Sequence, residues 1–305
     1  MNAAEAMTGK PTTVKSTTVK STTVKSTTVK PAAVAAKAPL PLPELVPLGQ
    51  LNVHPVTLAR AIDHILALID AGQGGYVVTP NVDHVCLVEH DDELRRVYRN
   101  ASLVLTDGKP LVWMARLAGR RIPEKVSGSD VTEPLLRAVQ KAGKSIFLLG
   151  ATPEVCAKLV ARLDTLIPGL DVRGTASPMF SPRGDATDFE EALEGAIATG
   201  ADLILFALGS PKQEYALGRY RHRFSPAVGI GVGATFDFFV GAQKRAPKWV
   251  SDAGFEWLYR LASNPRRLWR RYLVEDRKIV SIAWRQWRNW RAGRLGAGQP
   301  IVRDR

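Results

Sequence analysis

Five places in the chain put polar residues or glycines directly after a short apolar run. Thr79-Pro80-Asn81 follows Tyr76-Val77-Val78, and Asp107-Gly108 follows Leu103-Val104-Leu105-Thr106. Gly150-Ala151-Thr152, Gly209-Ser210-Pro211-Lys212-Gln213-Glu214 and Gly233-Ala234-Thr235-Phe236-Asp237 stand in the same relation to later runs. Ligands of an open parallel sheet bind beyond the carboxyl ends of its strands, so these are the candidate site residues. Together they offer hydroxyls, amides, a carboxylate and glycines that let a ligand approach the backbone. Gly150-Ala151-Thr152-Pro153-Glu154 could turn N–H groups towards an anion, or be a helix start with Thr152 as cap and Pro153 at the first position. Gly229-Ile230-Gly231-Val232-Gly233-Ala234 fits a GxGxxA dinucleotide fingerprint only formally: it sits late in the chain with no second strand after it. His54, His64, His84, His90 and His222 lack metal-ligand spacing, and no Asp-x-Asp pair occurs, so no metal site is expected.

The elements that must position these residues alternate. Helical periodicity runs through Leu58, Ile62, Ile65, Leu66 and Ile69, and a helix is expected over 82–100. Asp91-Asp92-Glu93 then falls mid-helix, on a solvated face. Further strands are expected at Ser145 to Leu149, Leu170 to Arg173, Leu203 to Ala207 and Val228 to Val232. Helices are expected at about 130–142, 152–167, 187–199 and 211–222. Short apolar strands separated by helices predict an α/β fold with a mostly parallel, Rossmann-like sheet flanked by helices. Strand signals stop at Trp249. Residues 254–292 read as two helices broken near Asn264-Pro265, with dense arginine and with Trp269, Trp284, Trp287 and Trp290 at helical spacing: a basic helical C-terminal appendage.

The chain carries 42 Lys+Arg against 29 Asp+Glu, a net charge of +13, which points to an anionic partner. That charge is concentrated in the tails. The pentapeptide Ser-Thr-Thr-Val-Lys repeats at 16–20, 21–25 and 26–30, too short a period for a solenoid unit. Residues 1–47 read as a disordered low-complexity basic tail and linker, 48–249 as the catalytic domain, and 250–305 as the membrane-associating appendage. Cys86 and Cys156, far apart and among apolar neighbours, read as buried thiols in a reducing compartment. No run reaches the ~18 apolar residues of a membrane span, and no continuous apolar signal segment opens the chain. The expected location is cytoplasmic, peripherally associated with the inner face of the plasma membrane.

Taken in order, the motifs resemble the WecG/TagA/CpsF family, glycosyltransferase family 26. They are Thr79-Pro80-Asn81, Thr106-Asp107-Gly108, Lys125-Val126-Ser127-Gly128-Ser129-Asp130, Leu148-Leu149-Gly150, Gly209-Ser210-Pro211-Lys212-Gln213-Glu214, Gly231-Val232-Gly233-Ala234-Thr235-Phe236-Asp237, Arg245-Ala246-Pro247-Lys248-Trp249 and Glu256-Trp257-Leu258-Tyr259-Arg260-Leu261. The form Asp107-Gly108-Lys109-Pro110-Leu111-Val112-Trp113 is most similar to members that build exopolysaccharides. The resemblance implies an inverting, metal-independent transferase without a cofactor. Its donor is a UDP-sugar (N-acetylmannosamine, its uronic acid, or a hexose such as glucose) and its acceptor a sugar on undecaprenyl diphosphate. It implies Asp107 as the base, with Thr79 and Asn81 beside it. Lys125 stands where the family has an arginine, keeping the charge but losing the bidentate geometry. Gln213 matches a glutamine near the donor, and Arg260, Arg267 and Arg270 match appendage arginines that fold over the site. Gly150, Gly233 and Asp237 complete the expected substrate contacts. Partners are then the donor, the lipid-linked acceptor and an anionic membrane surface. No nucleic acid is expected, and homo-oligomerisation is left open. The alternatives are a nucleotide-sugar-modifying oxidoreductase, resting on the glycine pattern, and a basic nucleic-acid-binding protein.

Overall fold

The computed structural model describes residues 41–181 and 187–293. The Ser-Thr-Thr-Val-Lys repeats and Arg294 lie outside the described residues. A short antiparallel hairpin, β1 (Val46–Leu48) and β2 (Leu51–Val53), precedes the helix α1 (Leu58–Ala71). Thr57 caps α1 by accepting a hydrogen bond from the N–H of Arg60, and Gly72 ends it in the left-handed region at φ 62°. The hairpin is too short to show alternation and was not expected.

The central sheet is parallel and six-stranded: β3 (Gly75–Val78), β4 (Leu103–Val104), β5 (Ser145–Gly150), β6 (Asp171–Ala176), β7 (Leu203–Ala207) and β8 (Val228–Gly231). Their spatial order is β4-β3-β8-β7-β5-β6. Side chains alternate across a strand, and the register turns that alternation into rows. Leu103, Val77, Ile230, Leu205 and Leu148 are successive partners across five strands, and all face one core layer. Their neighbours Val104, Val78, Phe206 and Leu149 face the other. Burial on both faces explains why the strands read as apolar runs rather than as alternating ones. The expected α/β class and parallel sheet are what the structure has.

The stretch 82–100 is two helices, α2 (Val82–Leu87) and α3 (Asp92–Asn100). Asp91 is not mid-helix: its carboxylate caps α3 through the N–H of Leu94 at 2.8 Å and accepts the hydroxyl of Tyr215. Glu93 pairs with Arg219 at 2.6 Å. Asp91 and Glu93 therefore dock α3 on a neighbouring helix, while Asp92 between them stays on the solvated face. That neighbour is α8 (Lys212–Tyr220), preceded by α4 (Lys109–Leu117), α5 (Gly128–Lys141), α6 (Pro153–Leu166) and α7 (Thr187–Ala198). Thr152 and Pro153 do open α6 as cap and first residue.

Beyond the sheet come α9 (Thr235–Phe239), α10 (Lys248–Asp252), α11 (Glu256–Ser263) and α12 (Pro265–Arg270). A π-helical turn, Arg271–Glu275, then leads into α13 (Lys278–Arg291). The expected break at Asn264-Pro265 is present, and the π turn adds a second one. One face of α13 enters the protein: Ile282 joins the core, and buried Gln286 bridges the hairpin by accepting from Gly49 N–H at 2.9 Å and donating to the Pro47 carbonyl at 2.7 Å. The opposite face leaves Val280, Trp284, Arg288 and Arg291 in solvent. Among the described residues no helix is long and apolar enough to cross a membrane.

Candidate active site

A cavity of about 260 Å³ opens beyond the carboxyl ends of β3 and β4. Asn81 caps α2 just after β3, exchanging backbone and side-chain hydrogen bonds with His84. Asp107 lies three residues past β4, its N–H held by the Pro80 carbonyl at 2.9 Å. Gly108 follows at φ 110°, a backbone angle that glycine tolerates and that lets α4 start at once. Lys125 reaches the cavity from the segment before α5, and Arg260 from α11.

Among the described residues the Asp107 carboxylate receives no hydrogen bond. Burial, with the nearby negative charge of Glu256, pushes it up to about 6, against the pull of Arg260 and Lys125. The neighbouring charges are paired. Lys125 Nζ lies 2.7 Å from Asp130 and 3.2 Å from the Ser251 hydroxyl. Asp130 also receives Arg245 and caps α5 with Ser127, so two of the expected motifs meet on one carboxylate. Burial alone would raise Asp130, yet Lys125, the Ser127 N–H and Arg245 hold it down to about 2. Arg260 donates to Glu256 at 2.6 Å, and Ser251 donates to the other Glu256 oxygen at 2.8 Å. This half of the cavity is thus one unpaired carboxylate within a ring of paired charges.

Of the expected site residues, Asn81, Asp107, Lys125 and Arg260 come together in the cavity. Thr79 is buried behind it, bonded to the Gly231 carbonyl at 3.4 Å. Gln213 is buried too, joining the Gly233 N–H at 2.9 Å to Glu214 at 2.9 Å. Asp237 accepts Gln243 at 2.9 Å. Gly150, at φ 114°, has the Ala207 backbone only 2.6 Å from where a Cβ would stand, so strand packing alone demands glycine there. None of these lines the cavity. Arg270 is 77% exposed and faces Glu275 at 3.7 Å, away from the site. The side chain of Arg267 lies outside those described.

Sequence reasoning missed Asp83, Ser251, Arg271, Tyr272 and Asp276, which all line the cavity. Arg271 takes the inward position expected of Arg270, lying 3.0 Å from Asp83 Oδ2 and 3.4 Å from Asn81 Oδ1. The π turn beginning at Arg271 changes the helical register there, and no composition signal announces it.

The GxGxxA match has a packing origin. Gly229 lies within β8, where a Cβ would meet Leu217 at 2.6 Å; at Gly231 it would meet the Gln213 amide at 2.9 Å. These glycines let α8 sit close on the sheet and form no phosphate loop.

Fold and cavity together define an α/β enzyme working at the carboxyl edge of a parallel sheet. The family described as "Glycosyl transferase WecG/TagA/CpsF family" matches residues 46–293. The chain belongs to that family and is a glycosyltransferase, as its ordered motifs implied. Two relatives bear the name N-acetylglucosaminyldiphosphoundecaprenol N-acetyl-beta-D-mannosaminyltransferase. The protein of Bacillus spizizenii is 30% identical over 237 residues, covering 77% of this chain and 90% of its own length. The protein of Bacillus subtilis is 34% identical over 205 residues, covering 67% of this chain and 77% of its own.

Proposed function

We propose that this glycosyltransferase moves a sugar from a UDP-sugar to a saccharide on undecaprenyl diphosphate, with inversion and without a metal, in the synthesis of a cell-surface polysaccharide. The observation that carries the reading is Asp107: an unpaired, partly desolvated carboxylate in a cavity that also holds Lys125 and Arg260. Its place suits a general base. The carboxylate takes the proton of the acceptor hydroxyl as that oxygen bonds the anomeric carbon. The bond from that carbon to the UDP oxygen breaks on the opposite face, and its electron pair leaves with UDP. Arg260, with Lys125 beside it, stands in the Asp107 half of the cavity to meet the departing diphosphate. Asn81 and Lys125 line the reacting region, while Thr79, Gln213, Gly233, Gly150 and Asp237 act from outside the lining by shaping strand ends and loops. Arg267 is retained as a donor contact; Arg270, facing solvent, acts only if the appendage moves on binding.

The relatives' names supply the first pair to try: an N-acetylmannosamine donor with an N-acetylglucosamine-diphosphate-lipid acceptor. A uronic acid or glucose donor is the next choice. Docking on the inner face of an anionic membrane is favoured by the outward face of α13, where Val280, Trp284, Arg288 and Arg291 form one apolar and cationic stripe. The deciding assay mixes the full chain with a panel of UDP-sugars and a short-chain polyprenyl-diphosphate acceptor, following UDP release and lipid product. One donor should give acceptor-dependent UDP release with an inverted anomeric centre. Transfer from no donor, or product with retained configuration, would refute the reading.

A further inference from the structure

The cavity has a second half of a different character. There α2, the π turn and the approach to α13 bring Asp83, Arg271, Tyr272 and Asp276 together. Arg271 is already committed to Asp83 and Asn81. Asp276 has no such partner: it is 6% exposed, it lines the cavity, and its Oδ1 is buried without a hydrogen-bond partner among the described residues. A buried carboxylate left in this state is costly to the fold. Burial pushes it up to about 7, with Asp83 adding to the rise and Arg271 opposing it.

The chemistry of this half selects its occupant. Asp83, and Asp276 when ionised, oppose a diphosphate, and Arg271 is already paired with Asp83, so this half suits the nucleotide or lipid diphosphate less than the half around Lys125 and Arg260 does. A neutral group bearing hydroxyl donors meets acceptors instead. Tyr272 and Trp257, with ring centroids 6.1 Å apart at 60°, add flat apolar walls for the C–H face of a ring. Carboxylate acceptors beside aromatic walls suit a sugar better than either the nucleobase or the lipid tail.

We propose that Asp276 is a specificity-determining residue whose carboxylate receives hydroxyl hydrogen bonds from a sugar ring lodged in this half of the cavity. The proposal rests on the transferase reading above. The ring comes from either the donor or the acceptor, and separate KM values tell which. A site built to bond a hydroxyl discriminates strongly against its loss, because the buried group is then left unpaired.

The test uses the full chain with Asp276→Leu and Asp276→Ala, measuring kcat, the KM of each substrate and the melting temperature. Either variant should raise the KM of one substrate by about 10-fold or more, leave the other within about twofold, and melt no lower than wild type. A rise confined to the nucleotide sugar assigns the ring to the donor; a rise confined to the lipid-linked substrate assigns it to the acceptor. Monodeoxy analogues of the affected substrate should lose their disadvantage in the variants. If the Leu variant does not fold, the Ala variant carries the same test. Unmoved KM values with normal transfer would overturn this proposal alone, and so would a lower melting temperature without a KM change, which marks a structural carboxylate. Absence of transfer by the wild type would sink the transferase reading and this proposal with it.

Discussion

Replacing Asp107 by asparagine should separate catalysis from stability, because the proposed base is also a carboxylate that burial disfavours in its ionised form. The side chain keeps its shape and loses its ability to take a proton. Loss of a general base lowers kcat by about 10²–10⁴-fold, while the paired Lys125 and Arg260 around it remain in place for the donor. The same change should strengthen the fold. Raising Asp107 from 3.8 to about 6 corresponds to about 3 kcal/mol of strain on the ionised form. Its partial contact with solvent reduces the expected gain to about 1–2 kcal/mol. For a domain of this size that is roughly 2–8 °C in Tm. The folded state holds the proton more readily than the unfolded chain does. The strain is therefore complete above pH about 6 and disappears as the pH falls towards 3.8. Wild-type kcat should accordingly fall as the pH drops through about 6. Thermal melts of both proteins at pH 7.5 and pH 4, with a pH–rate profile of the wild type, check every part. Near-normal turnover by Asp107→Asn would show that this carboxylate is not the base. A lower Tm at pH 7.5 would show that it is not desolvated as the structure has it.

EDTA should leave transfer within about twofold of its starting rate; abolition with rescue by Mg²⁺ or Mn²⁺ would refute the cationic account of the leaving group. Arg271→Ala should cost more than 10-fold in kcat/KM, whereas Arg270→Ala should stay within about twofold, and the reverse order would mean that the register at the π turn is wrong. The double variant Val280→Ala, Trp284→Ala should keep its Tm yet bind anionic vesicles several-fold more weakly, with binding further reduced by salt. Unchanged vesicle binding in a co-sedimentation assay would remove α13 from the membrane account.

How much of the fold could be read in advance follows from what each element must bury. A central parallel strand is covered on both faces and so announces itself as an apolar run, which is why β3, β5, β7 and β8 were legible to within a residue or two. The hairpin of β1 and β2 was not, because three residues a side carry too little pattern. Helix α4 went unread, although Pro110 in its first turn is well suited to a helix start. The break between α2 and α3 was hidden by charge. Asp91-Asp92-Glu93 has the composition of a solvated face, and only the fold shows Tyr215 and Arg219 placed to receive it.

The site divides along the same line. Asn81 and Asp107 sit just beyond strands β3 and β4, so a sheet read from apolar runs delivers them together, whereas Lys125, in the segment before α5, came only from the motif resemblance. The second half of the cavity depends on how a separate, helical stretch is threaded back over those strand ends. Arginine is so dense between Arg260 and Arg277 that composition cannot say which guanidinium turns inward. That choice is made by the added residue of the π turn, which points Arg271 at Asp83 and brings Asp276 to the cavity wall. A π turn survives only where surrounding contacts compensate its poorer hydrogen bonding, and such turns recur at functional sites. Here α13 supplies the compensation by anchoring Ile282 and Gln286 in the core and under the hairpin. The element that presents tryptophan and arginine outward therefore also fixes the register of the inward residues. Displacing α13 would move Arg271 and Asp276 together, leaving Asp107 and Lys125 on the sheet edge with only one half of a site.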